Sequence, residues 1–460
     1  MIPALARHLV FPLHERLRGR RTLAAIRELE ASQWDSPDEL RALQQAKLQA
    51  LLRHAAANIS FYRTRFRKAG LDSESPSSFE TLPQIPLLSK RDIRAAANDM
   101  IWPDSPEGAY PCDTGGSGGE PLRFYLDRRR QAYDQAARIR THRWFNVDLG
   151  DRELYLWGSP IELSRTDRVK KLRDALLNHR LLNAFNMSPA RMDEYLGMIE
   201  RYQPACLFGY PSSLALLAEH ALARGRQIAT DSLRAVFVTG EVCYPHYREV
   251  IASYYGVPVA DCYGSRDAGF IAHECPAGGM HLTAENVIVE IVKDGRPVAV
   301  GETGEIVVTH LDAYTMPFIR YCTGDVGRLK AERCACGRGL PLTDVVEGRT
   351  TDFLYLPDGS IKHALSIIYP LRALPDVRQF RVTQHEDYTV TVDVVCDDRR
   401  ARVTREAILR GVRPVLDGQV DVRVTQVDQI PGSVSGKHRY VVSRAHPAED
   451  GTPQEVTDRG

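Results

Sequence analysis

The segment Asp113-Thr-Gly-Gly-Ser-Gly-Gly-Glu-Pro121 sets how the rest of this 460-residue chain is interpreted. Its glycines and hydroxyl residues stand directly before a strand-like run, Leu122-Arg-Phe-Tyr125. Glycine lets the backbone turn tightly and approach an anion, and free N–H groups together with hydroxyls can donate to phosphate oxygens. The pattern predicts a phosphate-binding loop, with a flexible hairpin loop as the alternative. The candidate residues are Thr114, Gly115, Gly116, Ser117, Gly118 and Gly119.

A P-loop nucleotidase is the obvious rival for such a glycine-rich segment. That motif requires Gly-Lys-Ser/Thr leading into a helix. Here Gly119 is followed by Glu120-Pro121, so the sequence excludes a P-loop.

Around this segment, the hydrophobic pattern alternates between strand and helix from about residue 110 to 350. Helical stretches such as Pro211 to Arg224 lie between short β-rich runs, which predicts an α/β core. The β-rich runs include Ala235 to Thr239, Val287 to Val292 and Glu305 to Thr309. Upstream, residues 36–70 are predicted to be helical, with one apolar face formed by Leu40, Leu48, Leu51, Leu52 and Ala55.

The last quarter of the chain has a different pattern, which predicts a compact α+β domain. Its predicted elements are strands at Gln379 to Thr383, Tyr388 to Cys396 and Val420 to Val427, and a helix around Val403 to Leu416. The fold expected is therefore α/β, with a large N-terminal domain over 1–348 and a small, mobile C-terminal lid domain over 353–444. A hinge is expected at 349–352, and the polar stretch 445–460 is predicted to be a disordered tail.

Charge and composition limit the functions that the chain can have. Lys+Arg (60) and Asp+Glu (59) nearly cancel, so neither a nucleic-acid partner nor a membrane partner is predicted. No window has the ~18 apolar residues of a spanning helix, and no signal-peptide pattern is present, which predicts a cytoplasmic protein. Nine cysteines, an odd number, suit a reducing compartment better than a disulfide framework.

The glycine-rich segment resembles the phosphate loop of the adenylate-forming superfamily, which includes acyl-CoA synthetases, adenylation domains and luciferases. Four further segments resemble superfamily motifs and follow in the same order. They are Tyr263-Gly-Ser-Arg-Asp267, Thr323-Gly-Asp325, Gly348-Arg349 and Ser435-Gly-Lys437.

The resemblance implies a role for each motif. The Tyr263 ring would pack near adenine, with Gly264 and Ser265 beside it, and Asp325 and Arg349 would contact ribose. Lys437 would be catalytic, placing its ammonium against the α-phosphate, and Asp267 would help hold Mg²⁺. The family usually has Glu at this last position, so the shorter Asp267 could reach the metal through water. The alternatives are a turn-capping acid at Asp267, a solvated surface lysine at Lys437, and ordinary surface ion-pair roles for each of Asp325 and Arg349.

Within the superfamily, three stretches resemble phenylacetate-CoA ligases and related capsule-biosynthesis proteins. They are Leu52 to Tyr62, Phe208 to Ser213 and Thr239-Gly-Glu241. The resemblance places Glu241 in the ATP site and suggests an aryl or arylacetic acid in a pocket near Tyr210, Gly240 and Tyr263. Phe208, Phe237 and Phe270 could form apolar walls, although all these aromatic residues could equally be core residues.

The implied activity is ATP-dependent conversion of a carboxylic acid to an acyl-adenylate. CoA is the leading acyl acceptor by resemblance, and an amine or hydroxyl acceptor is the rival. A non-catalytic nucleotide-binding protein would have lost the lysine or the phosphate loop, and both are present. The acid, the acceptor and the oligomeric state, including a homodimer, are left open.

A cysteine and histidine set suggests a structural zinc site. Cys275, Cys334, Cys336 and His281 could form a tetrahedral Cys3His centre. His273 competes with His281 for the fourth position, and no Cys-x2-Cys pair is present. The absence of a basic patch disfavours a nucleic-acid-binding zinc finger.

Overall fold

A computed structural model describes the greater part of the chain, in two compact units. The first unit comprises the described residues up to Val346, and the second comprises those from Glu347 onward. The described residues are 2–71, 78–113, 122–157, 168–184, 189–347, 353–358, 361–363, 367, 370–371, 374, 377–396, 401–428, 430 and 441–445.

The helices of the first unit begin with one continuous helical segment. It consists of α1 (Pro3–Leu5), a π-helical turn (Ala6–Val10) and α2 (Phe11–Leu17). The others are α3 (Thr22–Ser32), α4 (Pro37–Asn58), α5 (Ser60–Lys68), α6 (Lys90–Ala95), α7 (Arg128–Arg143), α8 (Arg168–Leu176), α9 (Pro189–Tyr202), α10 (Pro211–Ala223) and α11 (Pro245–Tyr255). Among the described helices, none is long and apolar enough to cross a bilayer.

The strands of the first unit form a two-stranded hairpin and a large mixed sheet. The hairpin pairs β1 (Tyr110–Asp113) with β2 (Arg123–Leu126). The sheet contains β3 (Glu153–Trp157), β4 (His179–Asn183), β5 (Cys206–Gly209), β6 (Ala235–Thr239), β7 (Val259–Ser265), β8 (Gly269–Glu274), β9 (Met280–Leu282), β10 (Val287–Lys293), β11 (Arg296–Pro297), β12 (Gly304–His310), β13 (Tyr321–Lys330) and β14 (Leu342–Glu347), in the order β11-β10-β12-β13-β14-β9-β8-β7-β6-β5-β3-β4.

The directions of neighbouring strands determine which loops lie at the same edge of the sheet. Strands β4, β3, β5, β6 and β7 pair in parallel, whereas β7, β8 and β9 pair antiparallel. The residues that follow β3, β5, β6 and β7 therefore emerge at one edge of the sheet, the usual place for a ligand in an open α/β sheet.

The second unit is smaller and has its own core. Its strands are β15 (Phe353–Tyr355), β16 (Ile361–His363), β17 (Val377–Gln384), β18 (Val390–Cys396), β19 (Val422–Gln426) and β20 (Val441–Ser443), with helix α12 (Ala401–Val412). β19, β18, β17 and β20 form a four-stranded sheet in that order. The core includes Leu354, Phe380, Val392, Ile408 and Leu416.

The predicted fold class is confirmed: a large α/β sheet unit precedes a smaller α+β unit. The predicted helix over 36–70 is interrupted, because Ile59 is extended (φ −125°, ψ 112°) and separates α4 from α5. Ile59 is fully buried, so the break places its side chain in the core. The predicted apolar face of α4 is buried. The hinge at 349–352 lies outside the described residues, as does the tail beyond Ala445, and both stay predictions.

Candidate nucleotide site and metal centre

Part of the predicted site falls outside the described residues. This is the case for Thr114, Gly115, Gly116, Ser117, Gly118, Gly119, Arg349 and Lys437. The strands on either side of the glycine-rich segment are described: β1 and β2 pair antiparallel, with Asp113 opposite Arg123. The segment thus joins two antiparallel strands, whereas a P-loop joins a strand to a helix.

Two predicted nucleotide-binding residues meet in space although they are far apart in sequence. Tyr263, on β7, donates a hydrogen bond from its hydroxyl to Asp325 Oδ2 on β13 at 2.9 Å. The strands are not neighbours in the sheet, so folding alone brings the aromatic ring and the carboxylate together. The bond fixes the Tyr263 ring beside the acid that the resemblance assigns to ribose.

Asp267 lies in the turn between β7 and β8, with only 3% of its surface exposed. Its Oδ2 accepts a hydrogen bond from the Tyr321 hydroxyl at 2.5 Å, and its Oδ1 accepts one from Ser265 Oγ at 2.5 Å. Lys90 Nζ lies 3.8 Å from Oδ2. Carboxylate oxygens suit Mg²⁺. Each oxygen accepts one of these hydroxyls, and a carboxylate oxygen has two lone pairs, so Asp267 could contact the metal directly or through water.

The backbone around Asp267 is held by helix α7, which sequence reasoning missed. Arg130 donates to the carbonyl oxygens of Arg266 (3.1 Å) and Asp267 (2.7 Å). One turn later, Asp134 Oδ1 accepts the Phe270 amide at 3.1 Å. Burial opposes ionisation of Asp134, but the adjacent His310 and Arg130 outweigh it and lower its pKa to about 2. The ionised Asp134 and the buried Arg130 therefore both hydrogen-bond to the backbone at the Asp267 turn.

Close backbone approach explains one glycine of this motif. A Cβ on Gly264 would lie 2.6 Å from the carbonyl oxygen of Gly269, too close for any side chain. Ser265 adds a turn contact, since its Oγ accepts the Ala268 amide at 3.0 Å. The motif thus combines a glycine needed for packing with hydroxyl and carboxyl groups that hydrogen-bond at the turn.

An aromatic pair lies at the sheet edge where the acid pocket was predicted. Tyr210 follows β5, and its ring stacks on Trp157 at the end of β3, with centroids 4.1 Å apart and planes 10° apart. A Cβ on Gly240, which follows β6, would lie 3.1 Å from Tyr210 and 3.2 Å from Trp157. Trp157 was not predicted to be a site residue. The signal that could have indicated it is its position at the end of a strand. The three residues form an aromatic wall with a glycine against its edge.

Glu241 lies beside this wall. Its Oε2 accepts the Ser212 amide at 3.3 Å, within the first turn of α10, where the helix dipole favours an anion. Burial, followed by the Glu241 charge, raises the pKa of Tyr210 to about 12. Phe237 is fully buried and stacks on His142, with ring centroids 3.9 Å apart. It therefore lies in the core of the sheet, and a role in the pocket wall stays a prediction.

The predicted zinc ligands converge. The ligand atoms of Cys275, His281, Cys334 and Cys336 all lie within 4.8 Å of one another. The Cys275 and Cys334 sulfurs are 3.5 Å apart, and Cys336 Sγ is 3.2 Å from His281 Nε2. The other ring nitrogen of His281 is 3.1 Å from the Leu340 carbonyl oxygen, which orients Nε2 toward the thiols. Three sulfurs and one imidazole suit tetrahedral zinc.

His273, the alternative fourth ligand, makes its contacts outside the cysteine cluster. It is paired with His281 across β8 and β9, but its Nδ1 lies 2.7 Å from the Glu274 carbonyl oxygen. Its ring packs near Phe237 and Trp144. The cluster of potential ligands within the described part of the chain contains His281 and not His273.

A second buried group, His142, Glu153 and Cys206, has ligand atoms equally close. Glu153 already accepts Arg138 NH1 at 2.8 Å and the Tyr155 hydroxyl at 2.5 Å. A metal dication here would face a buried guanidinium, so this group fits a metal less well than the cysteine cluster does.

Comparisons with known proteins show which proteins the chain resembles. A family model described as AMP-binding enzyme matches residues 181–312. The phenylacetate-coenzyme A ligase of Thermus thermophilus is 24% identical, with 88% of this chain and 96% of that protein covered. Protein CapK of Staphylococcus aureus is 21% identical, with 88% and 90% covered. A crystal structure of 2-hydroxyisobutyryl-CoA ligase in the postadenylation state has a TM-score of 0.63 at 20% identity, covering 87% of this chain and 88% of that one, which is a likeness of fold.

The large α/β sheet unit followed by a smaller α+β unit is the fold that the chain shares with this CoA ligase, and residues 181–312 match the AMP-binding enzyme model. Over most of its length the chain is similar to phenylacetate-CoA ligases and to Protein CapK.

Proposed function

We propose that the protein is an AMP-forming acid-CoA ligase, which converts a carboxylic acid and ATP to an acyl-adenylate and then transfers the acyl group to CoA. The observation that carries the proposal is the hydrogen bond between Tyr263 and Asp325, because it joins the adenine and ribose motifs in one place. The names of the relatives support the CoA acceptor, since several are phenylacetate-CoA ligases.

In the first step, a carboxylate oxygen of the acid forms a bond to the α-phosphorus of ATP while the bond to the leaving pyrophosphate breaks. The chain's task is to position the reactants and neutralise negative charge. In this proposal Tyr263 and Asp325 would hold the nucleoside, and the resemblance assigns phosphate contacts to the glycine-rich segment and to Lys437. Asp267 would anchor Mg²⁺, which supplies positive charge to the phosphates when bound.

In the second step, the thiol of CoA loses its proton to solvent, its sulfur bonds to the acyl carbon, and AMP leaves with the electron pair of the broken carbon–oxygen bond. An amine or hydroxyl acceptor would need the same first step, so it differs only in the second product. We further propose an aryl or arylacetic acid as substrate, because the stacked Trp157 and Tyr210 rings at the sheet edge offer a flat apolar surface.

We also propose that Cys275, His281, Cys334 and Cys336 hold a structural zinc ion. All four positions of a tetrahedral ion would be taken by protein ligands, which is typical of a structural site, while a catalytic site keeps one position open. The ion would join the β8–β9 turn to the segment before β14 and take no part in the transfer steps.

The first test is ATP–pyrophosphate exchange with benzoic, phenylacetic and aliphatic acids, repeated with CoA while thioester is followed by mass spectrometry. We expect exchange that depends on an aryl acid, and a thioester when CoA is added. Exchange without thioester would favour the amine or hydroxyl acceptor, and exchange restricted to aliphatic acids would overturn the aryl assignment.

A variant tests the assigned lysine. Lys437→Ala is expected to reduce adenylate formation roughly 100-fold or more, the usual range for losing one charge-stabilising group. Lys293→Ala, at the exposed β10–β11 turn, is the control and should retain wild-type exchange. Equal exchange by both variants would count against the catalytic role of Lys437.

A further inference from the structure

The helical segment Pro3–Leu17 with its N-cap residue Ile2, here called the N-terminal helix, carries an unusual outer face. Five aliphatic side chains recur along it at three- or four-residue spacing, and all are exposed. Their exposed fractions are 70% for Ile2, 42% for Leu5, 58% for Leu9, 53% for Leu13 and 79% for Leu17. We call these five residues the aliphatic row. A soluble surface rarely exposes so many large aliphatic residues in one line without a partner.

The opposite face of the N-terminal helix is firmly packed. Ala6 and Phe11 are buried, and Phe11 lies in a core cluster with Ile26 and Leu29. The backbone also touches the rest of the unit, because a Cβ on Gly150 would lie 2.4 Å from the Pro3 carbonyl oxygen. The aliphatic row is therefore exposed on a helix that is held in place, and fraying does not explain it.

A π-helical turn aligns the row. The Phe11 amide bonds to the Ala6 carbonyl oxygen, an i to i+5 hydrogen bond. In an α-helix, residues four apart drift steadily round the axis in one direction. The wider turn rotates them the other way, so it offsets part of the drift of the row between Leu5 and Leu13.

The charge beside the row is positive. Arg16 and Arg18 are exposed at the end of the helix. Glu15 is the single acid between residues 2 and 21, and it is 3% exposed. Its carboxylate accepts a hydrogen bond from Thr22 and lies 2.9 Å from His14. The solvent-facing side of the N-terminal helix thus combines aliphatic and cationic groups with no exposed acid.

We propose that the N-terminal helix binds the surface of an anionic lipid bilayer, lying in the plane of the interface with the aliphatic row in the acyl region. Basic amphipathic helices bind in this way, through buried apolar area plus attraction to anionic headgroups. Each arginine near such a surface adds about 1 kcal/mol. The same helix of a second copy would offer no exposed acid to pair with Arg16 and Arg18, and in a parallel arrangement it would bring the arginines of both copies together.

The nearly balanced charge of the whole chain had predicted no membrane partner. The net charge is an average over the whole chain. In the folded protein the exposed arginines of the N-terminal helix lie on a side of that helix that has no exposed acid. Binding to a surface needs no spanning helix, so the proposal agrees with the lack of one among the described helices.

The test is sedimentation of the full-length protein with vesicles of phosphatidylcholine alone and of phosphatidylcholine mixed equally with phosphatidylglycerol. We expect binding to the anionic vesicles that weakens as salt rises. Leu9→Ser combined with Leu13→Ser should abolish most of it, and each of Arg16→Gln and Arg18→Gln should lower the partition coefficient roughly fivefold.

A matched control removes two leucines elsewhere. Leu216→Ser with Leu222→Ser, on α10, replaces side chains that are 42% and 50% exposed and should leave vesicle binding unchanged. Absence of binding to anionic vesicles would overturn the proposal. So would a wild-type dimer that becomes monomeric in the Leu9→Ser, Leu13→Ser variant without any vesicle binding, since the row would then be a contact between copies. An equal loss of vesicle binding in the Leu216→Ser, Leu222→Ser variant would also overturn the proposal.

Discussion

Arg130 supports the Asp267 turn although no motif contains it. Its guanidinium, 1% exposed, donates to two consecutive backbone carbonyls of that turn. A shift of about 1 Å at a reacting group can cost roughly 100-fold in rate. We expect Arg130→Gln to lower the rate of adenylate formation by about that factor and to raise the Mg²⁺ concentration needed for half-maximal rate. ATP–pyrophosphate exchange against Mg²⁺ concentration measures both.

The control for this prediction is on the same helix. Arg140 is also 1% exposed, but it contacts Glu285 and the Leu29 carbonyl oxygen and does not contact the turn. Arg140→Gln should lower the free energy of unfolding while leaving the Mg²⁺ requirement unchanged, and Arg130→Lys should recover part of the lost rate. If Arg130→Gln changes stability alone, Arg130 supports the fold and does not position Asp267.

At the residue scale, the sequence supplied the candidate site residues and missed the side chains that contact them. Tyr263 and Asp325 stand in short motifs to which the resemblance assigns the adenine and the ribose. Arg130 and Tyr321 act through bonds to a carbonyl and a carboxylate that any suitably placed donor could make. Such hydrogen bonds produce no recognisable pattern of residues along the sequence, so only the tertiary structure reveals them.

The β8–β9 turn and the segment before β14 form the proposed zinc centre, which can be tested by metal analysis. Wild-type protein is expected to contain one zinc ion per chain, and Cys336→Ser to contain none. A ligand present at 100 times its dissociation constant stabilises a protein by about 2.7 kcal/mol. At about 2–4 °C per kcal/mol, the Tm should fall by roughly 5–10 °C, and chelation should reproduce the fall in wild type only.

Cys243→Ser is the matched control for the zinc prediction, because Cys243 is partly buried and lies outside the cluster. It should keep its zinc and its Tm. Wild-type protein that keeps its Tm after zinc is removed, or a Cys336→Ser variant with the wild-type Tm, would contradict a structural metal.

At the element scale, the sequence predicted strand and helix types well because their apolar periodicities are local. It could not choose between His273 and His281. The two residues face each other across β8 and β9, so register gives both the same direction. The choice follows from packing: aromatic rings surround His273, while His281 Nε2 reaches Cys336.

The whole molecule has separate hydrophobic cores in its two units, which predicts separable unfolding. Leu416 is fully buried in the second core and Leu48 in the first. Replacing a buried leucine by alanine costs about 2–5 kcal/mol. Leu416→Ala should lower only the transition of the second unit, and Leu48→Ala only that of the first, as measured by calorimetry. A single transition shifted equally by both variants would mean that the units unfold together.

The sequence by itself determined the kinds of element, the α/β and α+β division and the motifs of the nucleotide site, since these depend on residue spacing and on what glycine and charged groups can do locally. The tertiary structure decided which distant residues meet. Tyr263 reaches Asp325 across 62 positions, and Arg130 reaches Asp267 across 137. It also decided that the aliphatic row of the N-terminal helix faces outward, because packing, and not composition, sets which side of a helix is buried.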